Sequence, residues 1–150
     1  MSRTSYPAPP LPRAGQLRAW WRAPASPTAL AWYLAQAARA HDAPLLVVAR
    51  DNHGANQLEA DLQTLLGNDP ALPVIAFPDW ETLPYDRFSP HPDIISQRLA
   101  ALHRLPALKR GLVVVPVQTL LQQLAPRSYV IGGSFDLKVG QRLDLEAEKR

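Results

Sequence analysis

The chain has no cysteine and no long apolar run, and each absence removes a class of explanation. Without cysteine there is no disulfide framework and no thiolate metal site. No stretch approaches the roughly 18 consecutive apolar residues that a membrane-spanning helix requires. The N-terminal MSRTSYPAPPLPRAGQ lacks the continuous apolar stretch of a secretory signal, so a cytoplasmic protein without membrane attachment is expected. The four histidines, His41, His53, His91 and His103, show no ligand spacing, and no metal site is expected from them. There is no Gly-x-Ser-x-Gly turn for a nucleophile. Paired acids such as Asp79 and Glu81 read as loop hydrogen-bond acceptors, and no catalytic residue is assigned.

What is present fits a globular protein. Hydrophobic residues make up 47% of 150 and charged residues 19%, enough for one ordinary domain and the beginning of a second. The net charge is +3 and the pI about 9.6. A mild basic excess permits contact with nucleic acid or an acidic partner without establishing it. Its arginines (among them Arg18, Arg22, Arg39, Arg50, Arg87, Arg98, Arg104 and Arg110) are scattered, as on a solvated surface.

Along the chain, four prolines (Pro7, Pro9, Pro10, Pro12) mark residues 1–15 as an extended leader. Leu17 to Arg22 reads as a first strand. Ser26-Pro27 supplies an N-cap and a first-turn proline for a helix to about Ala40, with Leu30, Leu34 and Ala38 on one face. Leu45 to Ala49 reads as a strand covered on both faces. Asn52 to Leu66 is helical, with Leu58, Leu62, Leu65 and Leu66 spaced for burial and Gly67 at its end. Pro73 to Phe77 is the next strand. Asp93 is expected to cap a helix carrying Ile94, Ile95, Leu99 and Leu102. Leu112 to Val115 is a buried strand, and Val117, Leu120, Leu121 and Leu124 predict a short amphipathic helix. Strands alternating with helices imply a parallel sheet flanked by helices. From Pro126 the pattern changes: SYVIGGSFDLKVG holds two β-like pieces around a turn at Gly132-Gly133. A boundary near Ala125 to Arg127 would separate a domain over 16–126 from the start of a second, small α+β unit over 127–150.

In a nucleotide-binding domain of this layout, the first strand leads into Gly-x-x-x-x-Gly-Lys-Ser/Thr and a helix. The equivalent segment is WRAPASPT. Aligning Thr28 with the motif's hydroxyl places Trp21 and Ser26 at the glycines and Pro27 at the lysine. The ammonium is lost, and so is a backbone N–H of the anion-binding turn. No cofactor is expected here.

The segment from Phe77 to Arg98, FPDWETLPYDRFSPHPDIISQR, is too long for an ordinary connection and too aromatic for a disordered one. With its continuation to Leu105, and with GLVVVPVQTLLQQLAP over 111–126, it closely resembles the N-terminal region of bacterial transcription-repair coupling factors (Mfd), similar in turn to the first domain of UvrB. The resemblance implies a RecA-like α/β domain with a degenerate phosphate loop. It implies a non-catalytic role in transcription-coupled nucleotide-excision repair, mimicking UvrB to help present a surface for UvrA. The UvrA contacts are expected beyond about Arg127. ATP and Mg would serve motor domains elsewhere in the longer protein, which displaces RNA polymerase on DNA. The signature residues are Asp79, Trp80, Glu81, Tyr85, Asp86, Ser89, Asp93 and Arg98. Arg98 would brace the loop by pairing with Asp79, Glu81, Asp86 or Asp93, while Trp80, Tyr85 and Phe88 would bury against the sheet edge. Two other readings stay open: a direct DNA-binding module using those aromatics, and a nucleotide-binding helicase-type domain with an unusual phosphate loop.

Overall fold

The first helix starts where the sequence supplies a capping hydroxyl. In a computed structural model, which describes residues 11–12, 15–67, 69–82 and 87–132, Ser26 is the N-cap of α1 (Pro27–Ala40). Its Oγ accepts from the Ala29 N–H at 3.5 Å, and Pro27 stands in the first turn, where a missing N–H does no harm. At the far end Arg110 donates to the carbonyls of Ala38 (3.4 Å), Arg39 (3.0 Å) and His41 (3.2 Å), acceptors that a helix terminus leaves open. In α2 (Asn52–Leu66) the Asp51 carboxylate accepts from the Gly54 N–H at 2.8 Å. Gly67 ends that helix at φ 63°, and Arg39 donates to the Leu65 carbonyl at 3.1 Å.

Three strands, β1 (Pro44–Ala49), β2 (Val74–Ala76) and β3 (Gly111–Pro116), form an open parallel sheet in the order β1-β3-β2. Leu45 lies opposite Leu112 and Val47 opposite Val114, while Val74 and Ala76 meet Leu112 and Val114 from the other side. The central strand is buried throughout. On one face Leu45, Val47, Val74, Leu112 and Val114 pack with Ala31, Ala35, Ala38, Leu58 and Leu62 of α1 and α2. Small side chains along α1 let it lie close to α2. On the other face Ile75, Phe77 and Val115 meet Ala101 and Leu102 of α3 (Pro92–Arg104), and Leu108. Alternate strand residues thus serve opposite cores, as the period of two requires.

Gly111 makes the entry into β3 possible. Its φ is +124°, and an added Cβ would fall 2.4 Å from the Pro73 carbonyl oxygen, the atom that accepts the Leu112 N–H at 3.0 Å.

Several local expectations are corrected. Leu17 to Arg22 is irregular and joins no strand, since Leu17 and Trp20 project into solvent and no ladder partner is present for them among the described residues. β1 is covered on one face only: α3 lies over β2 and β3, leaving Leu46 59% and Val48 47% exposed. α3 begins at Pro92, capped by His91, whose Nδ1 accepts from the Asp93 N–H at 3.3 Å. Asp93 is therefore a first-turn acid, favourably placed for the helix dipole. The buried face of that helix is built on Arg98 and Ala101, with Ile95 and Leu99 exposed. Val117–Leu121 is a 3-10 turn whose apolar residues Val117, Leu120 and Leu121 are exposed, as is Leu124, while the hydroxyl residue Thr119 is buried. Ser128 to Ile131 is helical rather than β-like: in α4 (Arg127–Gly132) the Pro126 carbonyl accepts from the N–H groups of Tyr129 (3.0 Å) and Val130 (3.2 Å), and Val130 is buried. The second β-like piece, over 134–140, lies outside the described residues, as does most of the leader.

Candidate functional site

β2 and β3 run parallel, so the segments after them emerge at the same edge of the sheet. This carboxyl edge is where open α/β sheets usually bind ligands. Here the chain's own side chains fill it. Phe77 extends β2 by donating its N–H to the Val114 carbonyl at 2.9 Å, and Pro78, Asp79 and Trp80 then turn toward α3. The second turn of α3 supplies Arg98, which is 2% exposed. Its guanidinium carbon lies 4.4 Å from the Phe77 ring centroid and 4.1 Å from that of Trp80. One guanidinium nitrogen, Nη1, donates to the Pro78 carbonyl at 2.5 Å.

This arrangement suits arginine chemically. A planar, weakly hydrated cation stacks on aromatic faces and keeps in-plane donors for a carbonyl. Burial pulls the Arg98 pKa below its ordinary value, and the Asp79 carboxylate opposes that fall. Asp79 makes a second attachment. It accepts from Thr119 Oγ1 at 3.3 Å and from Gln122 Nε2, both on the segment that follows β3. The loop is thus fixed to α3 through Arg98 and to the post-β3 turn through Asp79.

Of the predicted signature residues, Asp79, Trp80 and Arg98 come together. Glu81 is exposed and turns the backbone with φ 58°. Ser89 is exposed, and Asp93 stands beside His91 Nδ1 at 3.4 Å. Tyr85 and Asp86 lie outside the described residues. Among the described residues the Arg98 brace acts through a carbonyl and two rings, with Asp79 the acid that acts on its charge. Trp80 is half-buried with Arg98 against its ring, whereas Phe88 is exposed rather than buried at the sheet edge. Phe77, Thr119 and Gln122 complete the site without having been anticipated. A lone hydroxyl residue inside the apolar VQTLL was the available signal for Thr119.

At the start of α1, the residues aligned with a phosphate loop have other partners. Trp21 packs edge-on against Tyr33, ring centroids 5.1 Å apart. Ser26 caps its own helix, Pro27 has no N–H, and Thr28 Oγ1 donates to Asp61 at 3.0 Å. Along the outer edge of β2, a cavity of about 310 Å³ opens between α2 and α3, lined by Glu59, Gln63, Val74, Ala76, Gln97 and Arg104 among others. Burial raises the Glu59 pKa, and the hydrogen bond from Gln63 Nε2 at 2.9 Å works against that rise. Among the described residues no group of three or more histidines and acids could hold a metal ion, and no helix is long and apolar enough to cross a membrane.

These features define a small α/β domain with an open three-stranded parallel sheet flanked by helices, its carboxyl edge closed by an arginine–aromatic brace. No protein-family profile matches the chain. It is 41% identical over 119 residues to the transcription-repair-coupling factor of Escherichia coli strain K12, a match covering 79% of this chain and 10% of that protein. The Haemophilus influenzae factor is 44% identical over 101 residues (67% of this chain, 8% of the relative), and that of Mycobacterium tuberculosis 40% over 103 residues (63% and 8%). The chain belongs to the transcription-repair-coupling-factor family and spans about a tenth of the length of these relatives. A match of 119 residues within 150 cannot miss the stretch from Asp79 to Arg98.

Proposed function

We propose that this chain is a non-catalytic module of a transcription-repair coupling factor, acting in transcription-coupled nucleotide-excision repair. In this reading the sheet is part of a RecA-like layout whose phosphate loop has degenerated. The module mimics UvrB, packs against the remainder of the coupling factor and helps present a surface to UvrA. The observation that carries the proposal is 41% identity across 79% of the chain, over a segment that includes Phe77 to Arg98. The brace itself suits a fixed scaffold, because its charged groups are bound to the chain's own rings, carbonyl and amide rather than left to react.

The start of α1 supports the absence of nucleotide chemistry. A triphosphate held at a helix N-terminus needs free amides and a nearby ammonium. Pro27 offers neither, Ser26 already occupies the Ala29 amide, and Thr28 is bonded to Asp61. These residues do not fit ATP and Mg. Both belong to motor domains of the longer protein, together with movement on DNA and displacement of RNA polymerase.

The test uses a full-length coupling factor. Deleting the segment equivalent to this chain should abolish UvrA recruitment while DNA-stimulated ATP hydrolysis persists; undiminished UvrA recruitment would overturn the proposal. The isolated chain should bind UvrA weakly or not at all. It should also show no ATP binding below the millimolar range, with Pro27→Lys making no difference.

A further inference from the structure

Residues 1–41 contain five arginines (Arg3, Arg13, Arg18, Arg22, Arg39) and no aspartate or glutamate, so the whole basic excess of the chain originates there and the remainder is slightly acidic. Such asymmetry is the electrostatic mark of a polyanion partner. Within this acid-free stretch, the sequence Arg18-Ala19-Trp20-Trp21-Arg22 places two tryptophans between two arginines. Trp21 packs edge-on against Tyr33 of α1, ring centroids 5.1 Å apart, which ties the segment to the helix. Trp20 is left 84% exposed, with the Arg18 guanidinium 5.5 Å from its ring centroid. Neither feature serves the core. The carboxylate that the fold brings to the first turn of α1, Asp61, is engaged by Thr28 Oγ1 and Gln57 Nε2, each at 3.0 Å.

We infer that Arg18, Trp20 and Arg22 form a docking point for single-stranded nucleic acid. An unpaired base stacks on Trp20, and Arg18 and Arg22 meet the phosphates on either side. Stacking on an aromatic platform flanked by cations is the sequence-tolerant mode of strand binding. It needs a solvent-facing ring, a charge of the right sign beside it and a rigid support, and here Trp20, Arg18 and the Trp21–Tyr33 contact supply these in turn. Anionic lipid would answer to the same charge, but a membrane-seated patch uses the broad apolar face of an amphipathic helix, and Leu17 to Arg22 is irregular. A strand is therefore the partner assigned.

The experiment is fluorescence anisotropy of the full chain with a labelled oligothymidylate of about 15 nucleotides, a length within the span such surfaces track. Binding should appear at low salt and weaken as salt rises. Trp20→Ala, at a solvent-facing position, should lower affinity about tenfold with an unchanged circular dichroism spectrum. Arg18→Gln and Arg22→Gln should each reduce the slope of log affinity against log salt by about 0.7. No binding at low salt would overturn the inference, as would affinity indifferent to Trp20→Ala. Binding to anionic phosphatidylserine vesicles without binding to the oligonucleotide would overturn it as well.

Discussion

Arg98 stacks between Phe77 and Trp80, and this contact joins the end of β2 to the second turn of α3. Removing the guanidinium leaves a void between two rings and an unpaired Pro78 carbonyl. Arg98→Ala should cost about 3 kcal/mol in urea unfolding. Arg98→Lys keeps the charge but not the plane, and should cost about 1–2 kcal/mol. A double-mutant cycle with Trp80→Ala should return a coupling near 1 kcal/mol. Additive effects would show that the stack contributes no pairwise stability.

The other attachment of the loop is tested at Thr119, which is 1% exposed and donates to Asp79. Thr119→Val keeps the shape and deletes the donor, with an expected loss of about 1 kcal/mol. Thr119→Ser retains the hydroxyl and should lose less. Equal stability of the valine variant and the parent would mean that Gln122 alone holds Asp79.

Gly111 and Gly67 provide a matched comparison, since both have positive φ but only Gly111 has a backbone atom where a Cβ would go. Gly67→Ala should cost about 2 kcal/mol from backbone conformation alone. Gly111→Ala adds the collision with the Pro73 carbonyl and should cost more than about 2 kcal/mol. The order of the two melting temperatures decides the point.

Glu59 gives a pH-dependent prediction. Its pKa is raised on folding by burial, so between the ordinary carboxylate value and that raised value the folded state holds more proton than the unfolded one. Stability from this group therefore falls as pH rises through the window, and the penalty persists at neutral pH. Glu59→Gln can still accept from Gln63. It should be more stable than the parent at pH 7, with the advantage gone below about pH 4. A constant difference across that range would refute the assignment.

The parts of the fold that were legible in the sequence are those fixed by local chemistry. Ser26 and Asp51 cap helices because a short side-chain oxygen reaches an amide three residues on, and Gly67 ends one because it tolerates positive φ. Leu112 to Val115 reads as a buried strand by composition alone, and it is buried throughout. The failures share a different cause. Arg98 is buried by stacking, which leaves no periodic mark, so Ile95 and Leu99 looked like the inner face of α3. Thr119 is buried because Asp79, 40 positions away, needs a donor. The outward side chains Leu46 and Val48 follow from how many elements cover β1, a number that no window of residues encodes. At the candidate site, Asp79, Trp80 and Arg98, three of the eight signature residues, lie together. The Pro78 carbonyl and the two rings around Arg98 were not foreseen, because opposite charges suggested themselves first.

β1 has a practical consequence for anyone handling this chain in isolation. Among the described residues it borders the sheet with one ladder side open, and Leu46 and Val48 are exposed on one face. Such an edge is a template on which a second molecule can lay its own backbone. Concentrating the purified chain should therefore drive reversible self-association through β1, visible as a rising light-scattering mass. Lysine at position 46 should suppress it while leaving the two cores untouched.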